Sequence, residues 1–432
     1  MFPFAARTFR PLGLILAIAL ALPAAPAKRA LTHKDYDSWR SIASPTLSRN
    51  GEWLAYSYMP QEGDGDLVIK NLKTGKETRF GVGMLPPPPI PDPTATEEPP
   101  ARGIKVLFAA DNQWLVATTY PFKAVTEKAR KEKKKADEMP KTGLLIVKLS
   151  TGEATRVDRV KSMQVPSKDG DWVAYLKEAK PAPADAAKPA AGTTPAEPAK
   201  PGEDDSDQGR RSGASGGASS SQEYGSDLVL RDLTKTENAE TTFENVLDYS
   251  FARDGKTLLY TVGSHKAEDN GVYSVTPGSP AVALLKGKGK YTKLTWDRTQ
   301  SQAAFFSSKD DAVSKTPKFK IYYWDRKAAQ AAELITEATP GFPAGMVAGE
   351  KGLLQFTRDG KRLLVPAAEP PKAPKPEDAD TPADEKVVMD LWHYQDDFIQ
   401  PMQAIRANQE RKRTYRGIFD LASKKYVQLA SP

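Results

Sequence analysis

The stretch SRNGEWLAYSYM, residues 48–59, joins a turn signal to a strand signal. Asn-Gly adopts positive φ with little strain and favours the tight turns between antiparallel strands. The aromatic, aliphatic and small residues after it nearly alternate, as in a half-buried strand. Paired back onto IASPTLS upstream, the stretch predicts a β-hairpin.

The same pattern returns as ARDGKTLLYTVG (252–263) and TRDGKRLLVPAA (357–368). A second hairpin, such as DLVIKNLKTGKETRF (66–80), follows each first one, so each copy predicts a four-stranded sheet. In the second copy Asp-Asn replaces the turn glycine, and the fifth has lost it. Six copies can be traced, at 42–80, 106–157, 163–243, 247–285, 293–335 and 352–430.

Repeats of four short strands predict a β-propeller, because one such sheet cannot bury both faces alone and radial packing lets neighbours cover each other. Parallel β-helix repeats are shorter, leucine-rich repeats have another consensus, and immunoglobulin-type arrays need Greek-key connections. We therefore predict an all-β fold, a β-propeller of four-stranded blades with about six blades and an incomplete ring. Unpaired faces and edges in such a ring invite misfolding or a partner.

The N-terminus predicts a compartment. Residues 1–27 combine Arg7 and Arg10, an apolar run at 12–22 and small residues ending at Ala27, as in a secretory signal peptide. We expect a periplasmic or secreted mature chain, residues 28–432, without a stable membrane span. The absence of cysteine removes disulfides, thiolate metal sites and a cysteine nucleophile.

The chain has a net charge of +7 and a pI of about 9.1, partly from the lysine cluster at 128–141. Acidic residues interrupt this cluster and no nucleic-acid fold signature accompanies it, so we expect a solvated segment and no nucleic-acid partner.

Three low-complexity tracts, at 85–101, 180–223 and 366–386, interrupt the repeats. Their proline-rich and polar composition cannot bury enough apolar surface to fold. We interpret them as long disordered surface loops inside one propeller domain.

Candidate catalytic groups are few. Ser215 lies in a formal Gly-x-Ser-x-Gly match, but inside flexible sequence that lacks the strand and helix the motif needs. His33, His265 and His393 suit no histidine-rich metal site, and His393, with Asp396 or Asp397 nearby, has no nucleophile placed to use it. The acidic turn at 62–66 is too short for an EF-hand loop. We assign no catalytic, cofactor-binding or metal-binding residue and expect no cofactor.

The repeats resemble the PD40 or TolB-type propeller repeat, whose core reads Ser-x-Asp-Gly-x-x-[Ile/Leu]-Ala-[Tyr/Phe]; residues 48–56 and 252–260 fit it. The segments at 31–57, 134–153 and 390–421 are similar to large bacterial members of the prolyl oligopeptidase family. This resemblance covers nearly all of 28–432. It implies a propeller that gates peptide access to an α/β-hydrolase domain bearing Ser, Asp and His, and no such catalytic residue can be carried onto this chain.

Three functions remain open at this stage. The resemblance implies the N-terminal propeller part of a secreted serine peptidase, a fragment inactive alone, whose peptide substrate would be cleaved by a missing C-terminal hydrolase domain. The alternative is a stand-alone, non-catalytic TolB-like propeller that binds protein or glycan partners in the cell envelope. A propeller enzyme with its site in the central channel would need convergent titratable residues near the axis, and the sequence shows no such set.

Overall fold

A computed structural model of the protein describes most of the repeat region. The predicted signal peptide, Ser215, residues 390–392 and most of the three low-complexity tracts lie outside the described residues, which are 31–36, 39–87, 103–179, 224–235, 239–314, 316–371 and 393–430.

Four-stranded antiparallel units follow one another along the chain, and we call them blades 1 to 6. In each unit a strand pairs with the next strand in sequence, as expected for two successive hairpins. Blade 1 contains β1 (Arg40–Leu47), β2 (Trp53–Pro60), β3 (Gly65–Asn71) and β4 (Glu77–Gly83), and blade 2 contains β5 (Val106–Phe108), β6 (Trp114–Thr119), β7 (Gly143–Lys148) and β8 (Ala154–Val157).

Blades 3 and 4 share one long strand, β12 (Glu240–Phe251). Its first half pairs with β11 as the last strand of blade 3, and its second half pairs with β13 as the first strand of blade 4. The other strands are β9 (Val160–Gln164), β10 (Trp172–Lys177), β11 (Ser226–Asp232), β13 (Leu258–Val262), β14 (Gly271–Val275) and β15 (Val282–Lys286).

Blade 5 contains β16 (Tyr291–Trp296), β17 (Gln302–Ser307), β18 (Lys320–Asp325) and β19 (Ala332–Ile335). In blade 6 the first strand is split, since β20 and β21 both pair with β22. Its strands are β20 (Val347–Ala348), β21 (Gln355–Phe356), β22 (Arg362–Ala368), β23 (Tyr415–Asp420) and β24 (Lys425–Gln428).

β22 ends at Ala368, in residues where the sixth copy and the third low-complexity tract overlap in the sequence. Pro366, Ala367 and Ala368 continue the strand: Pro366 and Ala367 pair with β23, and Ala368 pairs with β20. The carbonyl of Pro366 accepts a hydrogen bond from the amide of Gly349 at 2.8 Å, and Ala367 is fully buried. Backbone pairing and burial therefore hold the strand together beyond the proline, despite its low-complexity composition.

The turn between the first two strands of each blade has one recurring conformation. One residue in each turn has φ between 59° and 90°, in the left-handed region that glycine and asparagine adopt most easily. In the second and fifth copies, which have no turn glycine, Asn112 and Gln300 adopt this conformation. The six residues are Gly51, Asn112, Gly170, Gly255, Gln300 and Gly360.

Buried clusters lie between consecutive blades, from the pair 1–2 to the pair 5–6. Leu145 and Leu67, for example, share the cluster between blades 1 and 2. The first strands of neighbouring blades touch, as β1 touches β5 and β12 touches β16, which places them nearest the axis of the array. The packing of each sheet on its neighbours confirms the predicted β-propeller.

The array is open among the described residues, where no buried cluster combines blade 1 with blade 6. On blade 1, Ile42 and Leu47 are 62% and 58% exposed on the face opposite blade 2. On blade 6, Val427 is 57% exposed on the face opposite blade 5. Both end faces therefore keep apolar side chains in solvent.

Among the described residues, helical structure is confined to short segments outside the blades. These are α1 (His33–Tyr36), α2 (Lys123–Lys131), α3 (Gln400–Glu410) and two 3-10 turns at Ala267–Asp269 and Lys309–Asp311. Among the described helices, none has the length and apolar character needed to cross a membrane.

Candidate functional site

The propeller has two unlike rims. Because successive strands of a blade run in opposite directions, the first-to-second and third-to-fourth connections lie at one rim, which we call the turn rim. The second-to-third connections and those between blades lie at the other, the loop rim. The four longest connections, 84–105, 120–142, 178–225 and 369–414, all belong to the loop rim.

At the turn rim, hydrogen bonds join the turns of different blades. The amide of Arg49 donates to Asn112 Oδ1 at 2.9 Å, between blades 1 and 2. The amide of Lys168 donates to the carbonyl of Arg253 at 2.7 Å, and the amide of Arg253 donates to Gln300 Oε1 at 2.6 Å. These bonds hold neighbouring turns at a fixed spacing.

At the loop rim, a cavity of about 1090 Å³ opens between blades 5 and 6. Its walls come from the loop-rim ends of the strands, with Lys290 before β16, Phe319 before β18, Val347 in β20 and Tyr415 in β23. The volume lies slightly above the upper end of the range for pockets that hold small ligands, about 300–1,000 Å³. Thr292 also lines it, and its buried hydroxyl has no hydrogen-bond partner among the described residues.

Ionisable groups also lie on or next to the first strands of the blades, which are nearest the axis and which we call the inner strands. Lys105 Nζ donates to the carbonyl of Met163 in blade 3 at 2.9 Å, and Lys293 Nζ donates to the carbonyl of Gly352 in blade 6. Burial lowers the pKa of both lysines. Because each ammonium is bound to a main-chain carbonyl of a neighbouring blade, these lysines tie inner strands together.

Asp248 is the acidic counterpart on the inner strand of blade 4. Its carboxylate accepts the amide of Tyr249 at 2.8 Å. Partial desolvation by the surrounding protein raises the pKa of Asp248, although the side chain stays accessible to water. Sequence analysis missed this group and the two inner-strand lysines because they are scattered along the chain and only the array places them on inner strands.

The histidines form no catalytic pair. His265 stacks on Tyr224 with ring centroids 3.6 Å apart. The Asp396 carboxylate accepts the main-chain amide of His393 at 2.7 Å and the Gln403 side-chain amide at 2.9 Å. The bond from the His393 amide and the bond from Gln403 together lower the pKa of Asp396. Asp396 therefore caps a local turn and does not orient the imidazole.

The acidic turn at 62–66 forms bonds with neighbouring basic segments. Glu62 pairs with Lys123 Nζ at 2.6 Å, Asp64 accepts the amide of Lys123 at 2.8 Å, and Asp66 pairs with Arg40 at 2.9 Å. In the part of the chain that the structure describes, no group of three or more His, Cys, Asp or Glu side chains could hold a metal ion. The turn thus anchors the start of α2.

No family model and no characterised relative matches the sequence. Solved structures similar to the chain include the β-propeller domain of the trilobed protease of Pyrococcus furiosus, described as an open velcro topology, with 10% identity, a TM-score of 0.34, and coverage of 77% of this chain and 80% of that domain. An acylaminoacyl peptidase bound to Z-Gly-Gly-Phe-chloromethyl ketone has 10% identity and a TM-score of 0.34 over 92% of this chain. Dipeptidyl peptidase 4 of Porphyromonas gingivalis has 12% identity and a TM-score of 0.41 over 90% of this chain.

The chain spans 47% of the acylaminoacyl peptidase and 45% of the dipeptidyl peptidase. All three of these proteins are proteases or peptidases, and the first is a propeller domain.

Proposed function

We propose that this chain is the propeller part of a secreted, prolyl oligopeptidase-like serine peptidase. In that role the propeller admits peptides to a hydrolase domain, which the described residues do not include, and excludes folded proteins. The chain by itself is inactive. Export by the signal peptide at 1–27 places the protein in the periplasm or outside the cell.

The observation that carries this proposal is the coincidence of fold and motif. The resemblance to the prolyl oligopeptidase family rests on the repeat phrase and on the segments at 31–57 and 134–153. The structure turns each repeat into one blade, with the phrase at the turn rim, which is the architecture the resemblance implies. The catalytic part of the proposal concerns the hydrolase domain, which the described residues do not include.

The second candidate is a stand-alone envelope propeller that binds a protein or glycan partner. It is favoured by the self-contained blades: each unit is completed by strands that are consecutive in sequence, so no blade needs a strand from another part of the chain.

The test is the intact mass of the endogenous protein, detected with an antibody against residues 227–285, in periplasmic and secreted fractions. We expect a product far heavier than 47.1 kDa that a serine-directed covalent probe labels. Mapping the labelled peptide distinguishes a serine outside these 432 residues from Ser215.

A product slightly lighter than 47.1 kDa, matching the loss of residues 1–27, would contradict the peptidase assignment. The same product in an exported fraction would favour the envelope propeller. A cytoplasmic product that retains residues 1–27 would contradict export.

A further inference from the structure

The cavity at the loop rim is unbalanced in charge. Its lining contains six cationic and three acidic side chains, a net charge of +3. Lys351 pairs with Glu350 at 3.1 Å, Arg413 pairs with Glu410, and Lys318 pairs at 2.9 Å with Glu337, which lies outside the lining. Lys290 and Lys412 are exposed at the same opening, and neither ammonium has an ion-pair partner among the described residues.

The inner wall of the same cavity is apolar. Phe319, Val347 and Ala348 are at least nine-tenths buried, and Pro317 and Pro370 extend the wall toward the opening. The unpaired hydroxyl of Thr292 adds a hydrogen-bonding group that nothing in this wall satisfies. Apolar walls with a few polar groups are typical of ligand sites. Excess positive charge at the mouth favours an anionic ligand.

We propose that this cavity binds an acidic peptide segment. Its carboxylates lie against the Lys290 and Lys412 ammonium groups, and its apolar atoms pack on the accessible prolines of the wall, Pro317 and Pro370. A cavity of about 1090 Å³ is larger than a single small anion fills, so several residues of an extended peptide fit it better. The site belongs to the propeller and does not rest on the peptidase assignment.

A nucleic acid is the less suitable occupant. Single strands bind on exposed aromatic platforms combined with a continuous positive groove. Here the aromatic ring of Phe319 is buried, and Glu350 and Glu410 neutralise two of the lining cations.

The test measures fluorescence anisotropy of a fluorescein-labelled alternating Ala-Glu octapeptide with the mature chain. Its Ala-Gln analogue and an oligo-dT strand serve as comparison probes. The variant K290Q/K412Q removes two cations from the cavity. The matched control K256Q/K361Q removes two exposed lysines from the turn rim. Both variants therefore change the net charge of the protein by the same amount.

We expect saturable binding of the Ala-Glu peptide. Its affinity should weaken about tenfold in K290Q/K412Q, because close charge pairs are lost, and should change less than twofold in K256Q/K361Q. Equal binding of the Ala-Gln peptide, equal weakening in both variants, or no binding would each overturn the proposal. Tighter binding of oligo-dT than of the acidic peptide would overturn it in favour of a nucleic-acid site.

Discussion

The turn rim and the loop rim are built from the two ends of the same strands, yet they differ in their connections. At the turn rim, the six turns share one backbone conformation, and hydrogen bonds join the turns of blades 1 and 2, 3 and 4, and 4 and 5. At the loop rim, the long connections vary in length and a cavity remains open between blades 5 and 6. The comparison indicates that the turn rim sets blade spacing, whereas the loop rim tolerates change and offers binding surface.

The largest expected effect is at the turn rim, in Gly255→Ala. Gly255 has φ +66°, and a Cβ there would overlap the carbonyl oxygen of Asp169 in the neighbouring turn. The left-handed conformation costs about 1–2 kcal/mol and the overlap about 1–3 kcal/mol, so we expect a loss of about 3 kcal/mol in urea unfolding.

The matched control is Gly278→Ala, in the turn between the last two strands of blade 4. Gly278 also has positive φ, at +84°, but a Cβ there meets nothing within 4 Å. We expect only the backbone cost, about 1 kcal/mol. Equal losses in the two variants would show that contact between turns adds nothing to stability.

The next effect concerns Arg326, which joins blade 5 to blade 4. Its guanidinium donates to both carboxylate oxygens of Asp254, at 2.8 and 3.1 Å, and to Thr257 Oγ1. We expect Arg326→Met to cost about 2 kcal/mol at pH 7, because these charge-assisted bonds lie in a half-buried site. The control Arg362→Met removes a more exposed pair with Asp420 and should leave the unfolding midpoint unchanged.

The cost of Arg326→Met should depend on pH. Burial raises the pKa of Asp254, but the hydrogen bonds from Arg326 and from the amide of Lys256 outweigh it and hold the pKa below its ordinary value. A depressed pKa contributes stability that is complete above the ordinary value and lost as pH falls through the folded-state value. The difference between wild type and variant should therefore shrink from pH 7 toward pH 2, and a constant difference would contradict this linkage.

The contrast between the rims also shows what sequence could predict. The turns were predictable because Asn-Gly and Asp-Gly at 50–51, 254–255 and 359–360 mark them locally. Gln300 was not, since its conformation is supported by its bond with the amide of Arg253, about fifty positions away in the chain. The cavity was invisible for the same reason: Lys290, Phe319 and Lys412 come together only when blades 5 and 6 pack.

A smaller effect is expected for shortening the loop rim. Replacing residues 182–221 by a four-residue Gly-Ser linker shortens the connection about fourfold and should raise the free energy of unfolding by only about 1 kcal/mol, because closure entropy changes by about 0.6 kcal/mol per doubling of loop length. The ends are already held together, since β10 pairs with β11 and Ser226 Oγ donates to the carbonyl of Lys177 at 2.6 Å.

The reciprocal control inserts the same linker between Asp254 and Gly255 at the turn rim. This insertion should destabilise the protein more than the deletion does, because it displaces the bonds to Lys168 and Gln300. If the two changes cost the same, the rims do not differ in their tolerance.

The smallest effect is expected at Asp248, between the two rims. Its raised pKa means that the folded chain binds more protons than the unfolded chain from the ordinary value up to the raised one, so wild-type stability falls as pH rises through that window. Asp248→Asn removes this loss and should be more stable at pH 7 by less than about 0.5 kcal/mol, since water still screens the group. Asp254→Asn has the opposite sign, because it discards a carboxylate whose pKa is lowered. Thermal unfolding at pH 3 and pH 7 tests both signs, and a shift in the same direction for the two variants would mean that the surroundings of Asp248 do not disfavour its charge.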